Sequence, residues 1–245
     1  MFKKKTGVLL TVLSIVLIGI FSINAINSVT YAQGQKTIEE FFQPIGEFIQ
    51  SNPDLLRDLN KTLETAEVSP DETVAWVNEL PITIGELEFR RGLNQKANKR
   101  YQSYTEVFNV LVEEKIVFDY AIKNKLLPTE DEVKRFIAEE QNQYATNDEY
   151  KTLVDNLCKA ANMSLEDYWN TYEWYNAFRL LTFSKSFANA TKDIVFEAAK
   201  QHEEEKAKKE LWLNMKTKLK YEAKVKINEK FKEFNFVLDK SKLYL

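Results

Sequence analysis

The chain has 245 residues, of which 44% are hydrophobic, 29% charged and 13% aromatic, and this composition excludes a disordered or collagen-like protein. One cysteine and one histidine exclude an internal disulfide and argue against a zinc site or a serine–histidine triad, while a formal charge of −3 argues against a nucleic-acid binder. The last glycine is Gly92 and the last proline is Pro128, so the sequence predicts a mainly helical protein.

Residues 1–32 have the pattern of a targeting segment. Lysines at positions 3–5 precede an uncharged run whose centre, residues 8–23, is rich in leucine, isoleucine and valine, as in a secretory signal. Cleavage after Ala32, or less favourably after Ala25, is one alternative, and an uncleaved membrane anchor is the other. No cysteine lies near this segment. We therefore expect an extracytoplasmic protein, secreted or membrane-associated, that is not a lipoprotein.

Residues 33–72 are predicted to form a helical appendage or linker. Apolar residues recur at helical spacing over residues 38–49, and Pro53 opens a second stretch with leucines at 55, 56, 59 and 63. A boundary around Pro70 leads into the main domain.

The main domain opens with a β-prone run at residues 74–77, a turn at residues 78–81 and a helix that begins at Thr83. Thr83 and Glu86 have the spacing of a capping box, and the same spacing recurs at Thr129 and Glu132. Helices are predicted over residues 104–126, from 129 through 144, from 147 to 161, from 164 to 187 and over roughly 192–221.

Residues 225–227 are β-prone again and are predicted to pair with residues 74–77. This pairing would join the ends of one domain, residues 73–232, and leave a tail at residues 233–245. The expected fold is mainly α: a multi-helix domain closed by a small two-stranded antiparallel sheet that joins its N- and C-terminal ends.

Five short motifs, in order, resemble the chaperone domain of SurA-like and PrsA-like proteins. Residues 74–86 have the pattern Val-x-x-Val-Asn-x-x-Pro-Ile-Thr-x-x-Glu. The other four are Leu-Val-Glu-Glu-Lys-Ile-Val at 111–117, Asn-Lys-Leu-Leu-Pro-Thr-Glu-Asp-Glu-Val at 124–133, Met-Ser-Leu-Glu-Asp-Tyr at 163–168 and Ala-Lys-Val-Lys-Ile-Asn at 223–228. The resemblance implies a domain that binds unfolded polypeptides.

The chain departs from this family in two places. Glu79 occupies a turn position where the family usually has glycine. Enzymatic members also carry a parvulin-type prolyl isomerase module with glycine-rich and histidine-containing segments before the final helix. Here no glycine follows Gly92, and His202 lies in a run of charged residues. The resemblance therefore implies the peptide-binding domain without its isomerase, and we expect no enzymatic activity.

The densest aromatic stretch, residues 168–187, contains the candidate client-binding residues, where a client is an unfolded polypeptide bound by a chaperone. Spacings of three and four place one stripe on the helix, typical of a core-facing surface, which consists of Leu165, Tyr168 or Trp169, Tyr172 and Tyr175. Trp174 and Phe178 extend around the helix, which is typical of a surface for peptide contact. The candidates are Trp169, Trp174, Tyr175 and Phe178, and at this point both interpretations stay open.

The sequence thus favours an ATP-independent holdase that binds unfolded or nascent exported polypeptides in an apolar groove. We expect no catalytic residue, cofactor, metal or nucleic-acid partner. Membrane attachment would occur through the N-terminal segment if that segment is not cleaved. The alternative is a membrane-anchored interaction or scaffold protein whose helices at residues 38–63 dock a fixed partner.

Overall fold

The computed structural model describes residues 37–55, 68–195 and 201–245. Its longer helices are α1 (Ile38–Ser51), α2 (Ile84–Lys96), α3 (Tyr104–Lys123), α4 (Glu130–Thr146), α5 (Asp148–Ala161), α6 (Trp174–Thr191) and α7 (Gln201–Glu222). The strands are β1 (Thr73–Val77), β2 (Leu80–Thr83) and β3 (Val225–Ile227). A helical turn, Leu165–Asp167, and a π-helical turn, Tyr168–Glu173, lead into α6, and a kinked 3₁₀ segment, Glu229–Phe234, follows β3. The predicted mainly α fold with a small closing sheet is confirmed.

Side-chain caps determine where the helices begin. The capping boxes predicted at Thr83–Glu86 and Thr129–Glu132 are both present. In each box the threonine hydroxyl accepts from the main-chain amide of the glutamate, and the glutamate carboxylate accepts from the main-chain amide of the threonine. Asn147 is the N-cap residue of α5. Caps of this kind contribute about 1 kcal/mol each, which explains why these boundaries were readable from sequence.

The sheet joins the two ends of the main domain. Its strand order is β2-β1-β3, and β1 pairs antiparallel with β3 through Ala75 opposite Ile227, Trp76 opposite Lys226 and Val77 opposite Val225. The predicted pairing of residues 74–77 with residues 225–227 is therefore confirmed.

The sheet has a third strand where the sequence predicted only a turn. The turn is confined to Asn78 and Glu79, whose φ angles of 47° and 78° follow the pattern of a tight type I′ hairpin. Leu80 and Pro81 then pair with Val77 and Trp76 in β2. Proline is tolerated there because β2 is an edge strand. The prediction of a two-stranded sheet was wrong in this respect.

Two clusters of buried apolar side chains form the interior. The first lies among α1, α2, α4, α5, the π-helical turn and α6 and includes Phe42, Ile45, Val133, Leu157 and Tyr172. The second lies among the sheet, α2, α3 and the segment after β3 and includes Val74, Ile82, Leu87, Phe108 and Leu111. Helix α3 also packs against α6 and α7 and so links the two parts.

Helix α1, from the predicted appendage, packs against α5. Its Phe41, Phe42, Ile45 and Ile49 are buried in the first core. Gly46 permits this close approach, since a Cβ atom there would lie 2.2 Å from the carbonyl carbon of Ala160. The apolar face of α1 is thus used within the protein.

The predictions for the start of the last helix and for the N-terminal part of the chain have different outcomes. Residues 192–195, assigned to the last helix from sequence, are not helical, and α7 is helical from Gln201. The predicted targeting segment at 1–32 and most of the second appendage helix, residues 56–67, lie outside the described residues. Within residues 37–55, 68–195 and 201–245, no helix is long and apolar enough to span a membrane.

Candidate functional site

The four residues predicted to contact clients divide between the core and its edge. Trp169 and Tyr175 are buried in the first core, whereas Trp174 and Phe178 are half-buried and pack against its border. Trp169 and Tyr175 are therefore core residues, which agrees with the interpretation of this stretch as a core-facing surface. Trp174 and Phe178 keep part of their surface exposed to solvent.

Six half-buried aromatic side chains lie on three neighbouring helices, and several of their rings are in contact. The rings of Phe118 and Phe178 are 6.1 Å apart, and those of Phe118 and Phe183 are 6.5 Å apart. Phe187 contacts the ring of Trp212 at 5.9 Å. We call these six residues the aromatic seam; its members are Trp174, Phe178, Phe183 and Phe187 of α6, Phe118 of α3 and Trp212 of α7.

The seam occupies two faces of α6, because at 3.6 residues per turn Trp174 and Phe178 lie roughly opposite Phe183 and Phe187. Trp174 and Phe187 are separated by about 20 Å along α6 at 1.5 Å per residue. Ile122, one helical turn beyond Phe118 on α3, is 45% exposed and extends the apolar surface. Leu211, beside Trp212 in the chain, is also exposed.

The π-helical turn explains why the predicted stripe fails at its start. A π turn holds one more residue than an α turn, so the side chains after it are rotated relative to those before it. Leu165, which precedes the turn, is 38% exposed, while Tyr172 and Tyr175 are buried. Uniform helical spacing from Leu165 therefore predicted the wrong environment for Leu165.

A buried ionic cluster joins α6 to α2 and α3 beside the seam. Glu114 of α3 accepts from Arg90 Nη1 at 2.9 Å and from Arg179 Nε at 3.2 Å. Burial alone would raise the pKa of Glu114, but the charges of Arg179 and Arg90 outweigh it and hold that pKa below its usual range. Because Arg179 follows Phe178 directly, this cluster fixes the helix that carries most of the seam.

The neighbours of Glu114 are also buried and paired. Lys115 donates to Glu86 of α2 at 2.7 Å, and Lys220 of α7 donates to Glu113 at 2.7 Å. The Glu-Glu-Lys sequence at 113–115 thus connects α3 to three other helices. In the sequence these residues contribute only to the family resemblance. Three consecutive charges inside an otherwise apolar helix are the pattern that could have indicated buried ion pairs.

A second buried cluster contains two carboxyl groups. Glu140 of α4 and Glu173 of the π-helical turn share a hydrogen bond, and Tyr168 donates to Glu173 at 3.2 Å. Burial, together with the neighbouring Glu173, raises the pKa of Glu140 well above its ordinary value, and burial also raises the pKa of Glu173. Both carboxyls therefore ionise less readily than they would in water.

The histidine, the cysteine and the carboxylates of the described residues are candidates for metal ligands or nucleophiles. No group of three or more His, Cys, Asp or Glu side chains capable of holding a metal occurs in the described ranges. His202 is exposed on α7, and burial followed by the charge of Asp155 raises the pKa of the Cys158 thiol to about 11. Cys158 is therefore poorly suited to act as a nucleophile.

Comparison of the chain with protein-family models, with curated proteins and with solved structures finds no match. The chemistry of the surface is therefore the basis for a functional proposal.

Proposed function

We propose that this protein is an extracytoplasmic, ATP-independent chaperone that binds unfolded or extended segments of exported polypeptides along the aromatic seam, without prolyl isomerase activity. The observation that carries the proposal is the seam itself. Six half-buried aromatic side chains lie on α3, α6 and α7, with ring contacts between Phe118 and both Phe178 and Phe183 and between Phe187 and Trp212, on helices held by buried ion pairs.

The physical properties of the seam suit varied clients. Aromatic faces contribute large contact areas without demanding a particular partner sequence. The stretch of α6 that carries these rings is about 20 Å long, equal to about six residues of extended chain at 3.3 Å per residue. Contacts of this size give weak and reversible binding, which a holdase needs in order to release its client.

The extracytoplasmic part of the proposal rests on the signal-like pattern of residues 1–32 and on the resemblance to SurA-like and PrsA-like chaperones. The alternative function, docking of a fixed partner by the helices at residues 38–63, receives less support. The apolar face of α1 is already packed against α5 and the first core.

A binding titration tests the proposal. The probe is a reduced, carboxymethylated model protein that stays unfolded, and its binding is followed by fluorescence anisotropy. Phe178→Ser and Phe183→Ser should each weaken binding by about fivefold or more, as expected for central aromatic contacts. Leu165→Ser removes an exposed apolar side chain away from the seam and is the matched control. Equal affinities for all three variants and the wild type would argue against the seam as the binding surface.

A further inference from the structure

The ionic cluster around Glu114 contains more positive than negative charge. The carboxylate of Glu114 accepts from Arg90 Nη1 at 2.9 Å and from the Nε of the buried Arg179 at 3.2 Å. The next residue of α3, Lys115, is neutralised by a partner of its own, Glu86, at 2.7 Å. Two guanidinium groups therefore share one carboxylate, which leaves a positive charge without a counter-charge in a region of low dielectric constant.

The loop that follows α2 brings a third cation to this cluster. The main-chain amide of Lys99 donates at 2.8 Å to the carbonyl of Asn94, which lies one helical turn beyond Arg90. Lys99 is half-buried, and among the described residues its ammonium group has no hydrogen bond or ion pair. Burial, followed by the charge of Arg90, lowers the pKa of Lys99 to about 7. When Lys99 is protonated, the region therefore has two positive charges in excess.

The main chain of this loop is fixed in an unusual conformation. Asn98 and Tyr101 have φ angles of 49° and 62°, in the left-handed region that few residues other than glycine adopt. Asn94 Nδ2 donates to the carbonyl of Tyr101 at 2.8 Å, and Gln102 Nε2 donates to the carbonyl of Lys99 at 2.7 Å. Such a conformation persists only where its surroundings impose it. The position of Lys99 near Arg90 is thus determined by the fold.

A ligand from solution can reach Arg90 and Lys99. The side chain of Arg90 is 18% exposed, against 6% for that of Glu114, and Lys99 is half-buried rather than buried. Ammonium and guanidinium groups both donate charge-assisted hydrogen bonds to oxyanions. Because the excess is two positive charges, a doubly charged oxyanion balances it better than a single carboxylate does.

We propose that Arg90 and Lys99 form a binding site for a doubly charged oxyanion of the phosphate or sulfate class, either as the free ion or as the terminal group of a small molecule. The Lys99 ammonium and the exposed edge of the Arg90 guanidinium donate to its oxygen atoms, and Arg179 adds the attraction of its charge. None of these residues belongs to the aromatic seam, so the site does not depend on the proposed chaperone function.

Thermal melting of the full chain in sulfate tests the proposal, with chloride at equal ionic strength as the reference. An ion that binds only the folded state raises the melting temperature, and the dependence on its concentration gives the affinity. Lys99→Met keeps the length of the side chain without its charge and should weaken sulfate binding by about tenfold or more. Lys96→Met removes an exposed charge at the end of α2 and should bind sulfate as the wild type does.

The pH dependence of sulfate binding separates this site from a general attraction of anions. Lys99 is about nine-tenths protonated at pH 6 and about one-thirtieth protonated at pH 8.5. The charged groups around Arg90 keep their charge in this range, because the pKa of Glu114 is held below its usual value and Arg179 stays protonated. The phenol of Tyr175, which is hydrogen-bonded to Arg90, is neutral near pH 7.

Sulfate itself stays doubly charged near neutral pH. It should therefore bind the wild type about tenfold more tightly at pH 6 than at pH 8.5, because only the protonated form of Lys99 is competent. This difference should disappear in Lys99→Met. Methyl phosphate distinguishes the two sources of the oxyanion: binding as tight as that of sulfate assigns the site to a terminal group, and weaker binding assigns it to the free ion.

Equal stabilisation of the wild type, Lys99→Met and Lys96→Met by sulfate would be a general salt effect and would overturn the proposal. A sulfate affinity of the wild type that does not change between pH 6 and pH 8.5 would overturn it as well.

Acylation of the wild-type chain by acetic anhydride, followed by peptide mass spectrometry, needs no variant. Bound sulfate should slow the acylation of Lys99 and leave that of the exposed Lys96 unchanged. The same rate at Lys99 with and without sulfate would show that no oxyanion binds there.

Discussion

Glu114 is ionised inside the protein because two arginines surround it. Replacement of Glu114 by alanine would leave the buried Arg179 and the half-buried Arg90 without their common partner. We expect Glu114→Ala to lower the free energy of unfolding by about 3–5 kcal/mol, the usual cost of an unpaired buried charge. Urea denaturation followed by circular dichroism measures the change.

The control for Glu114→Ala is Glu130→Ala, which breaks an exposed pair with Lys134 on α4. Exposed pairs of this kind contribute little, so the control should unfold close to the wild type. Similar denaturation midpoints for the two variants would mean that the buried cluster does not hold α2, α3 and α6 together.

Glu79 adopts a backbone conformation that favours glycine. Its φ angle of 78° places a side-chain-bearing residue in the left-handed region, which costs about 1 kcal/mol or more. Glu79→Gly should therefore raise the free energy of unfolding by about 1 kcal/mol, whereas Glu79→Ala should give no gain because it keeps the Cβ atom. Equal melting temperatures for Glu79→Gly and Glu79→Ala would show that the turn carries no such strain.

At the scale of secondary-structure elements, the π-helical turn places Glu173 against Glu140 of α4. Both carboxyls have folded-state pKa values raised by burial, so the stability they contribute is complete at acid pH and is lost as the pH rises through the folded-state pKa. The groups that face the pair, Tyr168, Tyr150 and Asn176, are neutral near pH 7 and do not reverse this sign.

The melting temperature of the wild type should therefore fall as the pH rises above the ordinary carboxyl value of 4.5. Glu140→Gln keeps the shape and the hydrogen bond to Glu173 but does not ionise, so this variant should melt above the wild type at pH 8 and alongside it at pH 4.5. Glu139→Gln, at the adjacent exposed position, should follow the wild-type profile. Parallel pH profiles for Glu140→Gln and the wild type would contradict the raised pKa of Glu140.

Elements with a local cause were predictable, and those with a non-local cause were not. Thr83 with Glu86 and Thr129 with Glu132 form capping boxes because the interacting groups lie within four residues. The π-helical turn has no such local signature, since Tyr168 and Glu173 are placed by partners on other helices. Strand β2 was missed because Pro81 indicates a turn locally, and only its edge position makes it compatible with the sheet.

At the scale of the whole molecule, β3 closes the domain by pairing with β1. Lys226 lies opposite Trp76, and the amides of Asn78 and Asn228 on either side bond across the two strands. Lys226→Pro removes a donor from this ladder and should lower the free energy of unfolding by more than about 1 kcal/mol. Lys226→Thr keeps the amide and should be close to the wild type. Equal melting temperatures for Lys226→Pro and Lys226→Thr would mean that the pairing of β1 with β3 contributes nothing to stability.

The candidate site was predictable only in part for a related reason. Aromatic density marked α6, but which rings face solvent depends on how α6 packs against α3 and α7; hence Phe178 is half-buried while Tyr175 is buried. Asn109 and Glu113 look like ordinary polar positions of a helix in sequence. Their hydrogen-bond partners are visible only once the tail, more than a hundred residues later, is placed against them.

Site-specific photo-crosslinking tests the central claim, that the aromatic seam binds unfolded chain, most directly. A photoreactive phenylalanine analogue replaces Phe183 on the seam or, as a control, Tyr221, which is 57% exposed on α7 away from the seam. On illumination with the unfolded model protein, the probe at 183 should form an adduct and the probe at 221 only background, and folded protein should give background at both. Equal adducts at 183 and 221, or equal adducts with folded and unfolded protein, would contradict the claim.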